Sequence, residues 1–162
     1  MPTRSCRSLS LLLPLSLLST PAEPLNLAGA ALVGDPGPRP ALSLLEFDVT
    51  LDGSPADPYD RDKVRIEATV TPPSGAPIAI EGFWMQACTA STVDGREVLS
   101  PSGDPGFRVR FRPAEQGAYA FQFRLITPFH EVESDPIEVE IGPPADGARG
   151  WIRRDGARPD RL

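Results

Sequence analysis

Apolar and polar residues alternate in several short segments of this chain. In residues 45–51 the side chains of Leu45, Phe47, Val49 and Leu51 are separated by Glu, Asp and Thr. A period of two places one set of side chains on one face of a β-strand. Further strands are predicted over residues 64–70, 78–84, 107–112, 118–125 and 137–141, with a seventh near 96–99. Apolar residues never keep the helical spacing over three turns, so the pattern predicts an all-β, antiparallel two-sheet sandwich of about seven strands.

The composition agrees with that fold and argues against several functions. The chain has 162 residues, enough for one domain, and its 20 Pro and 14 Gly argue against a helical bundle. With 40% hydrophobic residues the middle of the chain can form a core. A net charge of −6 argues against a general nucleic-acid binder, and one His with two Cys leaves little material for a zinc site. No cofactor and no metal centre are therefore predicted.

The segment before the fifth strand carries an immunoglobulin-type motif. Residues 115–119 read Glu-Gln-Gly-Ala-Tyr, and Phe121 stands where the motif has its cysteine. In such domains the tyrosine hydroxyl closes a corner against the backbone. We therefore predict that Tyr119 forms this corner and that Phe121 is a core residue in place of the disulfide. Trp84 is the candidate for the core aromatic on the partner strand. The predicted sandwich is thus immunoglobulin-like.

The N-terminus has the pattern of a secretory signal peptide, assigned to residues 1–30. Two arginines precede the apolar run 9–18, which is too short to span a bilayer. Cleavage after Ala22 lies at the usual distance from the run, whereas cleavage after Ala30 follows the better small-x-small pattern. The mature protein is predicted to be secreted or periplasmic, with no membrane attachment after cleavage. It would keep one thiol, Cys88, interpreted as a small apolar residue near a strand end, and no internal disulfide.

Five short motifs follow one another along the middle of the chain. They are Asp57-Pro58-Tyr59, Pro73-Ser74-Gly75, Gly82-Phe83-Trp84, Val109-Arg110-Phe111-Arg112-Pro113 and Gly117-Ala118-Tyr119. In this order they resemble the N-terminal β-sandwich, catalogued as a domain of unknown function, that precedes the catalytic barrel in a group of secreted bacterial glycoside hydrolases. The sandwich is accordingly assigned to residues 42–142, and the Pro/Gly-rich stretch 31–41 to a linker.

The C-terminal tail extends the resemblance. Residues 147–154 read GARGWIRR and are similar to the H-G-F-I-R segment that leads such a sandwich into the barrel. Residues 143–162 are therefore interpreted as a linker toward a missing catalytic barrel, which would carry both catalytic carboxylates. The resemblance implies a non-catalytic accessory module with that barrel as its partner, and an exposed apolar patch at Trp151 and Ile152. No catalytic residue is predicted in this chain.

Two other function classes fit the same sandwich. An independent carbohydrate-binding module would bind polysaccharide through exposed aromatic rings, for which Trp84 is the leading candidate beside Tyr59, Phe83 and Phe129. A protein–protein adhesion module is equally compatible with the fold. Retardation in a polysaccharide gel that Trp84→Ala abolishes would identify the first class, and concentration-dependent self-association the second.

Two groups of charged residues are further candidates for binding. Arg108, Arg110 and Arg112 share one strand face, where pairing with acidic residues of a neighbouring strand is favoured over a ridge for an acidic polysaccharide. Asp60 and Asp62 have the alternate spacing of calcium ligands, although Asp is also a common turn former.

Overall fold

Twelve β-strands make up the described part of the chain. The computed structural model describes residues 25–35 and 37–148, so the apolar run 9–18 and the predicted patch at Trp151 and Ile152 lie outside it. The strands are β1 (Asn26–Leu32), β2 (Arg39–Pro40), β3 (Leu45–Asp52), β4 (Arg65–Thr71), β5 (Ile78–Glu81), β6 (Phe83–Met85), β7 (Cys88–Val93), β8 (Arg96–Pro101), β9 (Gly106–Phe111), β10 (Gly117–Ile126), β11 (Glu131–Glu133) and β12 (Ile137–Gly142). These residues form no helix, and hence none that could cross a membrane.

The strands form two main sheets and a separate hairpin. The first sheet has the order β1–β3–β9–β6, and the second has the order β2–β12–β10–β4–β5, with β11 also paired to β10. Strands β7 and β8 make a two-stranded sheet of their own. The pairings are antiparallel except for the two-residue parallel pairing of β2 with β12. The predicted all-β sandwich is confirmed, although the described residues form more strands than the seven expected.

The core lies between the two main sheets and consists of the side chains that the alternation placed inward. The buried residues are Ala41, Leu45, Phe47, Val49, Val64, Ile66, Ala68, Val70, Phe107, Val109, Tyr119, Phe121, Phe123, Leu125, Val139 and Ile141. The intervening residues of β3, β4 and β10 are half-buried or exposed. Burial of apolar surface is the main favourable contribution to folding, and it explains why the period of two predicts these strands correctly.

An aromatic pair joins the two sheets at the position of the missing disulfide. Phe121 of β10 is fully buried, and its ring centroid lies 4.5 Å from that of Phe47 on β3 in the facing sheet. The core role predicted for Phe121 is confirmed. The cross-sheet partner is Phe47, whereas Trp84 is only half-buried and packs edge-on against Phe107 with a centroid distance of 5.0 Å. The core role suggested for Trp84 is therefore corrected, because Trp84 lies on the edge strand β6.

The tyrosine corner predicted from the motif is present. The backbone N–H of Glu115 donates a hydrogen bond of 3.0 Å to the Tyr119 hydroxyl, four residues further along the chain. The tyrosine ring itself is buried in the core. The corner therefore ties the turn between β9 and β10 to the core through one side chain.

We expect Tyr119→Phe to lower the free energy of unfolding by about 1 kcal/mol, because it leaves the Glu115 N–H without its partner and keeps the packing of the ring. The measurement is the urea midpoint, compared with that of Tyr59→Phe, whose ring is on the surface. Equal midpoints for the two variants would contradict a stabilising corner.

The sandwich begins earlier than predicted. Strand β1 pairs with β3 from Asn26 to Leu32, with a bulge at Ala28. Strand β2 lies within the stretch 31–41 that was assigned to a linker, and it pairs with β12. The domain boundary at residue 42 is thus corrected to Asn26. Strands β1 and β2 pair with the sheets because the edges of β3 and β12 would otherwise have unpaired backbone groups.

The predicted strand 78–84 is divided at Gly82. Strand β5 before it pairs with β4 in the second sheet, and β6 after it pairs with β9 in the first sheet. The N–H of Gly82 donates to the carbonyl of Ile66 at 2.8 Å, and a Cβ added at Gly82 would lie 2.9 Å from the Ile66 Cβ. The chain crosses from one sheet to the other here because the residue has no side chain.

The seventh predicted strand, near 96–99, belongs to a hairpin outside both main sheets. Asp94 and Gly95 form its two-residue turn with φ of 51° and 74°, the backbone twist that suits tight hairpins. Cys88 begins β7, so its predicted position near a strand end is confirmed. Its side chain is exposed and does not pack as a small apolar residue.

Candidate functional site

Several loops meet at one end of the sandwich. Val49 near the end of β3 is paired with Phe107 near the start of β9, and Ile126 at the end of β10 is paired with Arg65 at the start of β4. The loops 53–64, 102–105 and 127–130 therefore emerge at the same end. Loops on a rigid sandwich are a common position for binding residues.

A cleft of about 380 Å³ opens at this end between the loop 53–64 and strands β5 and β6. Its walls include three of the four predicted aromatic candidates and one oppositely charged pair: Tyr59, Phe83, Trp84, Arg61 and Glu81. We call it the Tyr59–Trp84 cleft. Its volume lies near the lower end of the range of small-molecule sites, about 300–1,000 Å³.

The loop that carries Tyr59 is held in place by its own polar groups. The Tyr59 N–H donates to Asp57 Oδ1 at 3.1 Å, and the Asp62 N–H donates to Asp60 Oδ1 at 3.1 Å. Arg61 forms an ion pair and hydrogen bond with Glu81, twenty residues further along on β5. The Tyr59 ring is nevertheless 73% exposed. The loop thus presents an ordered aromatic side chain to solvent.

Asp60 acts as a turn former in this loop. Its second oxygen, Oδ2, lies 2.7 Å from the Lys63 ammonium. The hydrogen bond from Lys63 lowers the pKa of Asp60, and the same contact raises the pKa of Lys63. Within residues 25–35 and 37–148, no group of three or more His, Cys, Asp or Glu side chains is placed to hold a metal ion. The contacts of the Asp60 carboxylate with the Asp62 N–H and with Lys63 fit the turn-forming interpretation of Asp60.

Trp84 lines a second cleft as well. This cleft has a volume of about 450 Å³, and its other walls include Thr50, Ser54, Asp104 and Arg108. Trp84 is thus placed between two openings at the same end of the sandwich. It is half-buried, so its ring contributes both to packing against the core and to the cleft walls.

Phe83 and Phe129 occupy different surroundings. Phe83 has the Arg110 guanidinium 5.0 Å from its ring centroid, a cation–π contact. Phe129 is 91% exposed on the turn 127–130 and does not line the described clefts. The Thr127 hydroxyl holds that turn by accepting hydrogen bonds from the N–H groups of Phe129 and His130. The structure therefore groups Tyr59, Phe83 and Trp84 and leaves Phe129 apart.

The arginines of β9 form cross-strand ion pairs, as favoured from the sequence. Arg108 pairs with Asp48 and lies 3.7 Å from Glu46, both on β3. Arg110 Nε lies 2.5 Å from Glu46 Oε2. Arg112 follows the end of β9. Arg108 and Arg110 are thus already partnered by carboxylates, which argues against a ridge for an acidic polysaccharide.

A second ion-pair group lies on the outer face of the second sheet. Glu67 of β4 lies 2.6 Å from the Arg124 guanidinium and 2.9 Å from Arg65. The hydrogen bond from Arg124 lowers the pKa of Glu67 below its ordinary value of 4.5. Sequence reasoning missed this group because Arg124 lies on β10, a strand far along the chain from Glu67 on β4.

We expect Glu67→Gln to lower the free energy of unfolding at pH 7 by at most about 1 kcal/mol, because the pair is partly exposed. A carboxyl whose pKa is lower in the folded state stabilises the fold above the unfolded pKa, and this contribution is lost as the pH falls through the folded pKa. The difference between wild type and variant should therefore shrink as the pH falls below 4.5. Urea unfolding from pH 7 to pH 3 measures it, and a constant difference would contradict the assignment.

Comparison with known proteins gives one family match. The family model described as "Domain of unknown function (DUF5060)" matches residues 43–125, just over half of the chain. The matched segment runs from just before β3 almost to the end of β10 and includes the Tyr59–Trp84 cleft and the tyrosine corner. No curated protein and no solved structure matches the chain.

Proposed function

We propose that this chain, which belongs to the DUF5060 family of domains of unknown function, is a non-catalytic accessory β-sandwich module of a secreted glycoside hydrolase. In this role the sandwich packs against the catalytic barrel and contributes a wall near its substrate cleft. The order of motifs from Asp57 to Tyr119 supports the association with such enzymes, and the surface of the sandwich supports a packing role.

The observation that carries the packing role is the exposed hairpin of β7 and β8. Every residue of both strands is exposed, including Val93, Val98 and Leu99. Gln86 holds its base by donating hydrogen bonds from Nε2 to the carbonyls of Ser102 and Gly103. A two-stranded hairpin alone is only marginally stable in water, so a neighbouring domain that covers it would stabilise it.

The chemistry of the described clefts supports binding rather than bond cleavage. A glycosidase needs two carboxyl groups about 5–5.5 Å or 6.5–9.5 Å apart across the scissile bond. The carboxylate that lines the Tyr59–Trp84 cleft, Glu81, is paired with Arg61. In the second cleft Asp48 is paired with Arg108, and Asp104 is a further carboxylate of its wall. Glu81 and Asp48 thus each have a structural partner already.

The proposal is tested by reading the coding sequence directly downstream of the Leu162 codon. We expect a frame that encodes a barrel with two catalytic carboxylates. Unrelated coding sequence there would contradict the accessory role, and adhesion through self-association would then be examined by analytical ultracentrifugation. The purified 162-residue chain is assayed in parallel on aryl glycosides. Hydrolysis that Glu81→Gln abolishes would contradict a non-catalytic module.

We expect the exported protein to begin at Glu23. Cleavage after Ala22 leaves β1 whole, whereas cleavage after Ala30 removes Asn26 to Ala30, five of the seven residues of that strand. The loss would expose the edge of β3 and remove Leu27, which packs against the core. N-terminal sequencing of the protein from the periplasm or culture medium decides between the sites. An N-terminus at Ala31 would contradict the expectation.

A further inference from the structure

The ring of Tyr59 is both exposed and held in an ordered loop, which is the arrangement of a ligand-contacting aromatic. The side chains of Asp57 and Asp60 set the loop conformation, and the Arg61–Glu81 pair ties it to β5. An aromatic side chain has few rotatable bonds, and a preordered loop loses little conformational entropy when a ligand binds. The exposed Tyr59 ring is therefore placed to contact a ligand at low cost.

The Arg61–Glu81 pair provides polar groups beside the ring. Its two side chains are 62% and 55% exposed, so a ligand in the cleft can reach them. The guanidinium offers several N–H donors and the carboxylate offers acceptors, and the two charges cancel. The cleft thus combines aromatic walls with a neutral set of donors and acceptors at its edge.

These features select a class of ligand. A pyranose ring has an apolar C–H face that packs on an aromatic ring, and hydroxyls at its edge that both donate and accept hydrogen bonds. The arginines that line the cleft, Arg61 and Arg65, already have carboxylate partners in Glu81 and Glu67, and the chain has a net charge of −6, so the cleft does not favour an anionic ligand. A proline-rich peptide also packs on aromatic grooves, but its carbonyls only accept hydrogen bonds, so it would use the Arg61 donors and not the Glu81 acceptors.

We propose that the Tyr59–Trp84 cleft binds a neutral saccharide of one or two sugar units, with Tyr59 as the stacking ring and the Arg61–Glu81 pair bonded to vicinal hydroxyls. The lining of the cleft selects the class of ligand. The inference rests on the proposed function in one respect, which is that polysaccharide is present beside the module. Trp84, the leading sugar-binding candidate from the sequence, forms the inner wall of the proposed site.

The test is affinity electrophoresis of the full chain in gels that contain xyloglucan, galactomannan or mixed-linkage β-glucan, with polygalacturonate as the acidic comparison. We expect retardation in at least one neutral polysaccharide. Tyr59→Ala should weaken binding at least ten-fold, and Glu81→Gln should weaken it because one acceptor oxygen and the negative charge are replaced by an NH2 donor. Phe129→Ala is the matched control, since it removes an aromatic ring that is 91% exposed and outside the cleft, and it should bind as wild type.

Each other outcome overturns the inference. No retardation in any neutral polysaccharide, retardation by polygalacturonate alone, or unchanged binding by Tyr59→Ala would each exclude a neutral saccharide site in this cleft. A circular dichroism spectrum identical to wild type shows that Tyr59→Ala is folded, and Tyr59→Phe, which keeps the ring, should restore most of the binding. If the downstream coding sequence encodes a barrel but no neutral polysaccharide retards the chain, the saccharide site is rejected and the accessory role is not. If a neutral polysaccharide retards the chain but no barrel is encoded downstream, the accessory role is rejected and the saccharide site is not.

Discussion

Phe121→Ala is expected to lower the free energy of unfolding by about 3–5 kcal/mol, the cost of removing a fully buried aromatic ring. Phe121 is 0% exposed, and its ring lies 4.5 Å from Phe47 of the facing sheet and 5.8 Å from Phe111. The variant loses the transfer free energy of the ring, and the rigid sheets on either side cannot close the cavity. A loss of this size is a large fraction of the stability of a domain, typically about 5–15 kcal/mol.

Urea denaturation followed by tryptophan fluorescence measures this loss. The matched control is again Phe129→Ala, which should stay within about 0.5 kcal/mol of wild type. Phe121→Leu keeps most of the side-chain volume, so its free energy of unfolding should lie between those of Phe129→Ala and Phe121→Ala. It provides a measurable variant if Phe121→Ala does not fold. A loss below about 1 kcal/mol for Phe121→Ala would mean that the aromatic pair does not hold the sheets together.

Gly82→Ala is expected to lower the free energy of unfolding by about 1–3 kcal/mol, the range for an overpacked core position. The added Cβ would lie 2.9 Å from both Cβ and Cγ2 of Ile66 and 3.3 Å from the Arg108 carbonyl oxygen. Ile66 is fully buried and β-branched, so it cannot rotate away from the new methyl group. The strain falls where the chain crosses between the sheets.

Gly29→Ala is the matched control for this variant. Nothing lies within 4 Å of a Cβ added at Gly29, and its φ is not in the left-handed region. The same glycine-to-alanine change should therefore leave the thermal midpoint nearly unchanged, while Gly82→Ala lowers it. Equal midpoints for the two variants would show that the crossing tolerates a side chain.

The strands with an apolar face are predictable from the sequence, because burial against the opposite sheet decides their structure. The alternating residues around Phe47, Ile66 and Phe123 become buried, except for Leu51, which is half-buried. Strand β1 was missed since its sequence, NLAGAAL, is rich in small residues and shows no alternation. Its conformation depends on pairing with β3, which is a tertiary effect. The Asp94-Gly95 dipeptide, by contrast, is typical of a two-residue hairpin turn and makes the β7–β8 hairpin predictable from the sequence.

The candidate site is less predictable than the fold. Tyr59 and Trp84 are both recognisable as aromatic candidates, but nothing in their spacing shows that they share a cleft. The Arg61–Glu81 pair joins residues twenty positions apart and requires the fold to bring them together. The Arg108 and Arg110 contacts were foreseeable, because side chains on one strand face meet the neighbouring strand at regular intervals.

The pairing of β2 with β12 has a consequence for how the protein folds. Strand β2 reaches its place only beside β12, and β10 joins β12 on one side to the much earlier β4 on the other. Contacts between distant parts of a chain slow folding, and sandwiches of this kind fold in milliseconds to seconds rather than microseconds. The second sheet therefore cannot be completed until residue 142 has left the ribosome. A chain that remains unfolded for this time would be a suitable substrate for an export machinery that transports unfolded polypeptides.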